Sequence, residues 1–252
     1  MTKAGRFLDR PVVVTGAGNG IGRATALAFA REGALVTVAE ISEAAGRATV
    51  AAIAAAGGKA HFVHSDATDE ASVAALIVCV SAQFGPVRHA FNNVGHVEPA
   101  ALESMSREIW DTTLAGSVTS TFLALKYQLP VMRANGGGTI VNMASIAGKM
   151  FDGSSPAYAV AKAGVVHLTH HASCIAAGDN IRVNSVSPGL VGTSTIDRVF
   201  TAARKAEYLE ARQAIARAVT PEEVAATVLF LSSDDSAMIT GIDVEVNGGR
   251  RF

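Results

Sequence analysis

Tyr158-Ala159-Val160-Ala161-Lys162 sets a phenol and an amine four residues apart, and Ser145 precedes the tyrosine by thirteen positions. On a helix, positions i and i+4 share one face, so both side chains can enter one crevice. A nearby cation favours the phenolate and draws a tyrosine below its ordinary pKa of about 10 toward neutrality. A phenol tuned in this way can exchange a proton with an alcohol or a carbonyl. A serine hydroxyl at the end of a strand can hold the same oxygen.

A second group of residues could bind an anion. Thr15-Gly16-Ala17-Gly18-Asn19-Gly20-Ile21-Gly22 follows a β-branched run and leads into the apolar-periodic segment from Ala24 to Arg31. Strand, glycine turn and helix amino terminus together aim backbone N–H groups and a helix dipole at negative charge. The spacing is G-x-x-x-G-x-G, because Ile21 stands where G-x-G-x-x-G would have its last glycine. Such a turn alone can also be a tight connection without a ligand. Glu40 supplies the context: 18 residues after Gly22, at the end of the next strand, it can accept hydrogen bonds from an adenosine ribose. Facing the 2′-phosphate of NADP, the same carboxylate would make a like-charge contact costing several kcal/mol, and about 1.4 kcal/mol is already tenfold in affinity. Neither Asn19 nor Ile41 offers a compensating cation. The cofactor expected is therefore NAD.

The elements that must position these groups are legible in the alternation of short β-branched runs with longer Ala/Leu-rich segments. Strands are predicted at Val12 to Thr15, Leu35 to Ala39, Ala60 to His64, Arg88 to Asn92, Thr139 to Met143, Ile181 to Val186 and Asp243 to Val246. Helices are predicted at 20–32, 42–56, 69–84, 106–134, 156–178 and 220–232. The strands lack strict alternation, as expected when helices cover both faces of a parallel sheet. Right-handed crossovers then give an α/β fold: a single Rossmann-type, doubly wound domain over 1–252, with a seven-stranded parallel sheet and its ligand crevice at the carboxyl ends of the strands. One stretch, 192–218, is longer than an ordinary connection and mixes polar with helical character, which reads as a substrate lid.

Composition excludes other classes. With 21 Lys plus Arg against 22 Asp plus Glu, there is no basic field for nucleic acid. Cys79 and Cys174 stand 95 positions apart without a C-x-x-C pair, against a disulfide scaffold or a zinc site. Met1 to Arg10 has no apolar core of a signal peptide, and no apolar run reaches a membrane-spanning length. The expected setting is cytoplasmic, without membrane or nucleic-acid partners.

Taken together, these residues resemble the short-chain dehydrogenase/reductase family over essentially the whole chain. The marks are the turn from Thr15 to Gly22, Asp66, Asn92-Asn93-Val94-Gly95, Ser145, Tyr158 with Lys162, and Pro188-Gly189-Leu190-Val191-Gly192-Thr193. The resemblance implies that Tyr158 is the general acid/base and that Ser145 orients the substrate oxygen. Lys162 is implied to bond the nicotinamide ribose and to lower the tyrosine pKa. It further implies cofactor contacts from Gly16, Asn19, Gly20, Ile21 and Gly22 in the turn, from Glu40, and from Asp66 and Ala67 beside the adenine. Asn92, Val94 and Gly95 are implied to line the cofactor, and Pro188, Val191 and Thr193 to meet the carboxamide side. A homo-oligomer, tetramer or dimer, is implied as well.

Two positions depart from the family pattern. Val94 replaces the usual alanine and trims the cofactor cleft slightly. Ser117 stands where the family generally carries the helix asparagine of its catalytic tetrad, thought to hold a relay water. A serine has a shorter reach, so a second water is expected there. The chemistry implied is NAD-dependent interconversion of a secondary alcohol and a ketone on a small or medium, largely apolar molecule. Ser117 motivates one alternative, an NAD(H)-binding sensor or scaffold with little turnover. Epimerisation or dehydration is a third possibility within the fold.

Several residues have ordinary readings beside functional ones. His167, His170 and His171 share a helix face with metal-like spacing, but lack a nearby carboxylate and read as a packed or intersubunit face. Met150 and Phe151 read as pocket wall, while His96 and Asp152 could meet substrate hydroxyls or solvent. Ile196, Val199 and Phe200 would give the lid an apolar inner side. The terminal Gly248 to Phe252 could lie at an oligomer interface or fray.

Overall fold

The structure is a computed structural model in which residues 5–151, 153–193, 196 and 201–251 are described. Asp152, Val199, Phe200 and Phe252, named above, lie outside the described residues. Strands β1 (Pro11–Thr15), β2 (Leu35–Glu40), β3 (Lys59–His64), β4 (His89–Asn92), β5 (Gly138–Met143), β6 (Ile181–Pro188) and β7 (Asp243–Val246) form one sheet in the order β3-β2-β1-β4-β5-β6-β7. All its pairings are parallel. The flanking helices are α1 (Gly20–Arg31), α2 (Glu43–Ala55), α3 (Glu70–Phe84), α4 (Arg107–Leu114), α5 (Ser120–Ala134), α6 (Pro156–Ala176), α7 (Ala202–Arg212) and α8 (Pro221–Ser232).

The unbroken β-branched runs follow from the two-sided burial of the sheet. Val12 and Val14 of β1 pack with Phe29 of α1 and with Val224 and Val228 of α8. Val13, between them, points into the other layer with Leu125 and Met132 of α5 and Ala172 of α6. Every residue of β1 and β5 is buried, so neither strand has a face that alternates out to water. Strand order reverses between β1 and β4, and the crevice beyond their carboxyl ends is where the glycine turn and the β4 loop meet.

Two segments differ from the sequence reading in detail. The helix expected over 106–134 is interrupted by a π-helical turn, Ala115–Thr119, between α4 and α5. The long stretch after β6 contains α7, followed by a short antiparallel pairing with the carboxyl terminus. In that pairing Ala214 N donates to Gly249 O at 2.8 Å and Ile215 N to Gly248 O at 2.9 Å. The last described residues are thus tied to their own chain.

Candidate active site

The glycine turn is shaped by close approaches. Gly16 has φ +60, and a Cβ on Gly22 would lie 2.1 Å from the Gly16 carbonyl oxygen, so neither site tolerates a side chain. Asn93 fastens the turn to β4: its Nδ2 donates to Thr15 O and Gly16 O, each at 3.2 Å, and its own N–H donates to Thr15 Oγ1 at 3.0 Å. Asn93 stands in the Asn92-Asn93-Val94-Gly95 mark, but the sequence reading assigns it no role.

Glu40 closes the far side of the turn. Its Oε2 accepts from Gly18 N at 2.9 Å, and its Oε1 accepts from Ile41 N at 3.0 Å and Ser42 N at 3.1 Å. The carboxylate fills a three-donor nest of the kind that binds anions. Asp66 is held nearby: its Oδ1 accepts from Thr68 N at 2.8 Å and Thr68 Oγ1 at 2.7 Å, which keeps its carboxyl below the usual range. Glu40, Asp66, Ala67 and Val94 line a cavity of about 450 Å³ together with Gly16 and Gly95.

A second cavity, of about 320 Å³, holds Ser145, Tyr158 and Lys162 beside Asn19, Gly20 and Ile21 of the turn and Pro188, Val191 and Thr193 after β6. Asn93 and Gly95 line both cavities, so the two adjoin at the loop after β4. Val97 and Ile196 give this part apolar walls. Ser145 leaves β5 in extended conformation and its Oγ accepts from Ala147 N at 3.2 Å. Pro156 begins α6, and the next turns bring Tyr158 and Lys162 to one face, with Lys162 Nζ 5.6 Å from the tyrosine ring centroid. Lys162 is 1% exposed, and its Nζ donates to Met143 O at 2.7 Å. Burial pushes its pKa down from 10.5 to about 7.

Three of the residues predicted as catalytic or cofactor-binding do not line either cavity. Gly22 is inside the turn. Asn92 points into the core, where its Nδ2 donates to Gln128 Oε1 at 3.0 Å and Asn142 Oδ1 at 2.9 Å, while Gln128 Nε2 donates back at 2.8 Å. Asn142 Nδ2 in turn donates to Thr169 Oγ1 of α6 at 2.9 Å, so this satisfied network joins β4, β5, α5 and α6. Ser117 is fully buried in the π-helical turn. Its Oγ meets the backbone of His96 at both polar groups, accepting from N at 3.5 Å and donating to O at 3.4 Å. Gly116 makes this approach possible, since a Cβ there would lie 2.6 Å from His96 Cβ. The Ser117 carbonyl accepts from Ser120 Oγ and Thr121 Oγ1, both at 2.9 Å.

His96 lines the first cavity, with Nε2 4.0 Å from Glu98 Oε2. Phe151 is 88% exposed and, like Met150, is absent from the walls of both cavities. The rings of His167 and His170 stack at 6.5 Å, and no group of three metal-ligating side chains occurs among the described residues. No described helix is long and apolar enough to cross a membrane.

Comparison with known proteins finds the same fold and related sequences. A sequence family described as enoyl-(acyl carrier protein) reductase matches residues 16–251. Cis-4-hydroxycyclohexanecarboxylate dehydrogenase of Sinomonas cyclohexanicum is 39% identical over 244 residues, covering 96% of this chain and 97% of that protein. Cyclohexanol dehydrogenase of Acinetobacter sp. (strain SE19) is 37% identical over 248 residues, covering 96% and 95%. A solved 7α-hydroxysteroid dehydrogenase complexed with NADH and 7-oxo glycochenodeoxycholic acid superposes with a TM-score of 0.94 at 30% identity, covering 99% of this chain and 98% of that one.

Proposed function

Because the chain belongs to the short-chain dehydrogenase/reductase family, we propose that it is an NAD-dependent oxidoreductase that interconverts a secondary alcohol and a ketone on a small or medium, largely apolar substrate. The observation that carries the reading is the meeting of Ser145, Tyr158 and Lys162 with Gly20, Ile21 and Thr193 in one cavity. The relatives named above act on cyclic and steroidal alcohols, and one was solved with NADH.

The crevice suits a dinucleotide. The glycine turn packs closely against Glu40, Asn93 and Thr193, and the backbone N–H groups at the start of α1 would hold a pyrophosphate there. Glu40 would hold the adenosine ribose, Asp66 and Ala67 the adenine, and Val191 and Thr193 the carboxamide. Gly95 would line the middle, and Asn92 would act through its backbone. When bound, the nicotinamide supplies the hydride acceptor or donor.

Tyr158 takes the proton from the substrate hydroxyl in oxidation and returns it to the carbonyl in reduction. Ser145 donates to the same oxygen and fixes the carbon facing the cofactor. Lys162, beside the tyrosine ring, favours the phenolate while charged and would hold the nicotinamide ribose. Ser117 is a positioning residue through His96, and the segment 192–218 covers the substrate.

NAD is favoured over NADP because Glu40 already fills the N–H nest that a 2′-phosphate would need and repels that phosphate by charge. The complete Ser145, Tyr158 and Lys162 set speaks against a sensor without turnover.

The test is to measure NADH and NADPH binding by protein fluorescence, then to follow reduced-cofactor absorbance with cyclic, aromatic and steroidal alcohols. Expected are tight NADH binding, weak NADPH binding and turnover abolished by Tyr158→Phe. Binding without turnover across the panel overturns the dehydrogenase reading. Product formation without net change in NADH points to epimerisation or dehydration instead.

A further inference from the structure

An ionic bridge outside the crevice ends on the turn that carries Ser145. Ser145 caps the 3₁₀ turn Ile146–Gly148, and Lys149 follows directly. Lys149 Nζ lies 2.5 Å from Glu245 Oε1 and 3.2 Å from Asp243 Oδ2, both on the edge strand β7. The Asp243 side chain is 6% exposed, and its Oδ1 accepts from Ser185 Oγ at 2.7 Å and Ser187 Oγ at 2.9 Å. Lys149 is the one charged partner of its other oxygen among the described residues. Asn247 Nδ2 donates to Glu245 at 2.7 Å and fixes the second carboxylate. A carboxylate so withdrawn from water needs a cation, which makes the bridge costly to release.

The other side of the turn rests on α6. A Cβ on Gly148 would lie 2.5 Å from Ala163 N and 2.6 Å from the Lys162 carbonyl carbon, so the turn sits directly against the helix that bears Tyr158 and Lys162. Ile146 and Ala147 are buried and anchor its first half. Its second half runs out to the exposed Phe151, and Lys149 is what ties that half to the sheet.

We propose that Lys149 is a positioning residue: its bridge to Asp243 and Glu245 holds the Ser145 turn against α6, and so sets the separation of Ser145 and Tyr158 that a substrate oxygen must span. The kinetic consequence rests on the dehydrogenase reading, whereas the structural consequence does not. Displacing a reacting group by about 1 Å can lower the rate about a hundredfold, so a loosened turn is visible in kcat.

The test compares the parent with Lys149→Met, Lys149→Arg and Asp243→Asn, measuring kcat and KM for a secondary alcohol, the Kd for NADH, and amide hydrogen exchange. Gly148, Lys149 and Met150 report the turn, because their N–H groups donate to the carbonyls of Ser145 and Ile146. Lys149→Met is expected to lower kcat by about tenfold to a hundredfold, leave the NADH Kd within about twofold, and speed exchange at those three amides but not in β5 or α6. Arginine should restore most of both losses, since it can span to the same carboxylates. Parental kcat and exchange in Lys149→Met overturn the proposal. So does a joint loss of NADH binding and thermal stability that arginine fails to rescue, which makes the bridge merely structural. If the methionine variant does not fold, Asp243→Asn decides, since it keeps the oxygen that the serines bond and removes the buried charge. A parent without turnover sinks the dehydrogenase reading, while the exchange data still decide the bridge.

Discussion

Lys162 Nζ donates to the carbonyl oxygen of Met143 at 2.7 Å, so the amine that faces Tyr158 is held by the last residue of β5. The bond fixes where the amine points, and burial sets its charge, with a pKa pushed down from 10.5 to about 7. Between those values the folded chain holds the amine neutral while the unfolded chain keeps it protonated. The unfolded state then binds more protons, so stability rises with pH across that window, by up to about 1.4 kcal/mol per pH unit from this group. Lys162→Met removes the titration without emptying the site. Urea unfolding of parent and variant without cofactor should show the parent gaining on the variant from about pH 7 to about pH 9. Parallel curves would mean that Lys162 remains charged where it is buried.

Glu40 gives a second measurable consequence. Replacing it by alanine frees the N–H groups of Gly18, Ile41 and Ser42 and removes the repelling charge. Glu40→Ala should weaken NADH binding and strengthen NADPH binding, changing their Kd ratio by about a hundredfold, or roughly 2.7 kcal/mol. Fluorescence titration with both cofactors reads this directly. An unchanged ratio would remove Glu40 from cofactor selection.

Much of this arrangement follows from local patterns. Strands β1 and β2 were legible because two-sided burial favours β-branched runs, and Ser145, Tyr158 and Lys162 because their spacing has a geometric meaning on a strand and a helix. The inward turn of Asn92 was not, since its partners Gln128 and Asn142 come from distant segments. The π-helical turn was hidden because apolar periodicity runs from α4 into α5 across the extra residue. Helix α7 was obscured by its charge, with Leu209 its one buried side chain. Likewise, the donors around Glu40 depend on how closely the glycine turn approaches β2, which residue types alone do not state.

Ser117 and Gly116 behave as a matched pair. The serine reaches the His96 backbone only because the glycine lets that loop come close. Ser117→Asn, although it introduces the residue that similar proteins generally carry, puts a longer side chain into a fully buried site. It should cost about 1–3 kcal/mol of stability and give no gain in kcat. Ser117→Ala should keep NADH binding and lower kcat by about tenfold, less than the roughly 10²–10⁴-fold that outright loss of acid–base assistance brings, because the serine acts only through His96. Thermal unfolding and steady-state kinetics on both variants check the pairing. A more active asparagine variant would show that the serine limits proton transfer.

Acid sensitivity should come in part from the opposite end of the sheet. His89, at the start of β4, has Nδ1 2.7 Å from Thr139 Oγ1 and its ring edge-on to Phe7 at 5.1 Å. Burial, then the charges of Arg88, Arg10 and Arg182, push its pKa down from 6.5 to about 3. Folded His89 therefore stays neutral where the unfolded chain takes up a proton. Stability from this group is complete above about pH 6.5 and is lost as the pH falls toward about 3, at up to about 1.4 kcal/mol per pH unit. His89→Gln cannot titrate and keeps a group able to bond Thr139, so it should be less stable than the parent near neutrality but lose less on acidification. Urea unfolding at about pH 7, 5.5 and 4.5 measures the two slopes. Equal slopes would place the acid-labile group elsewhere.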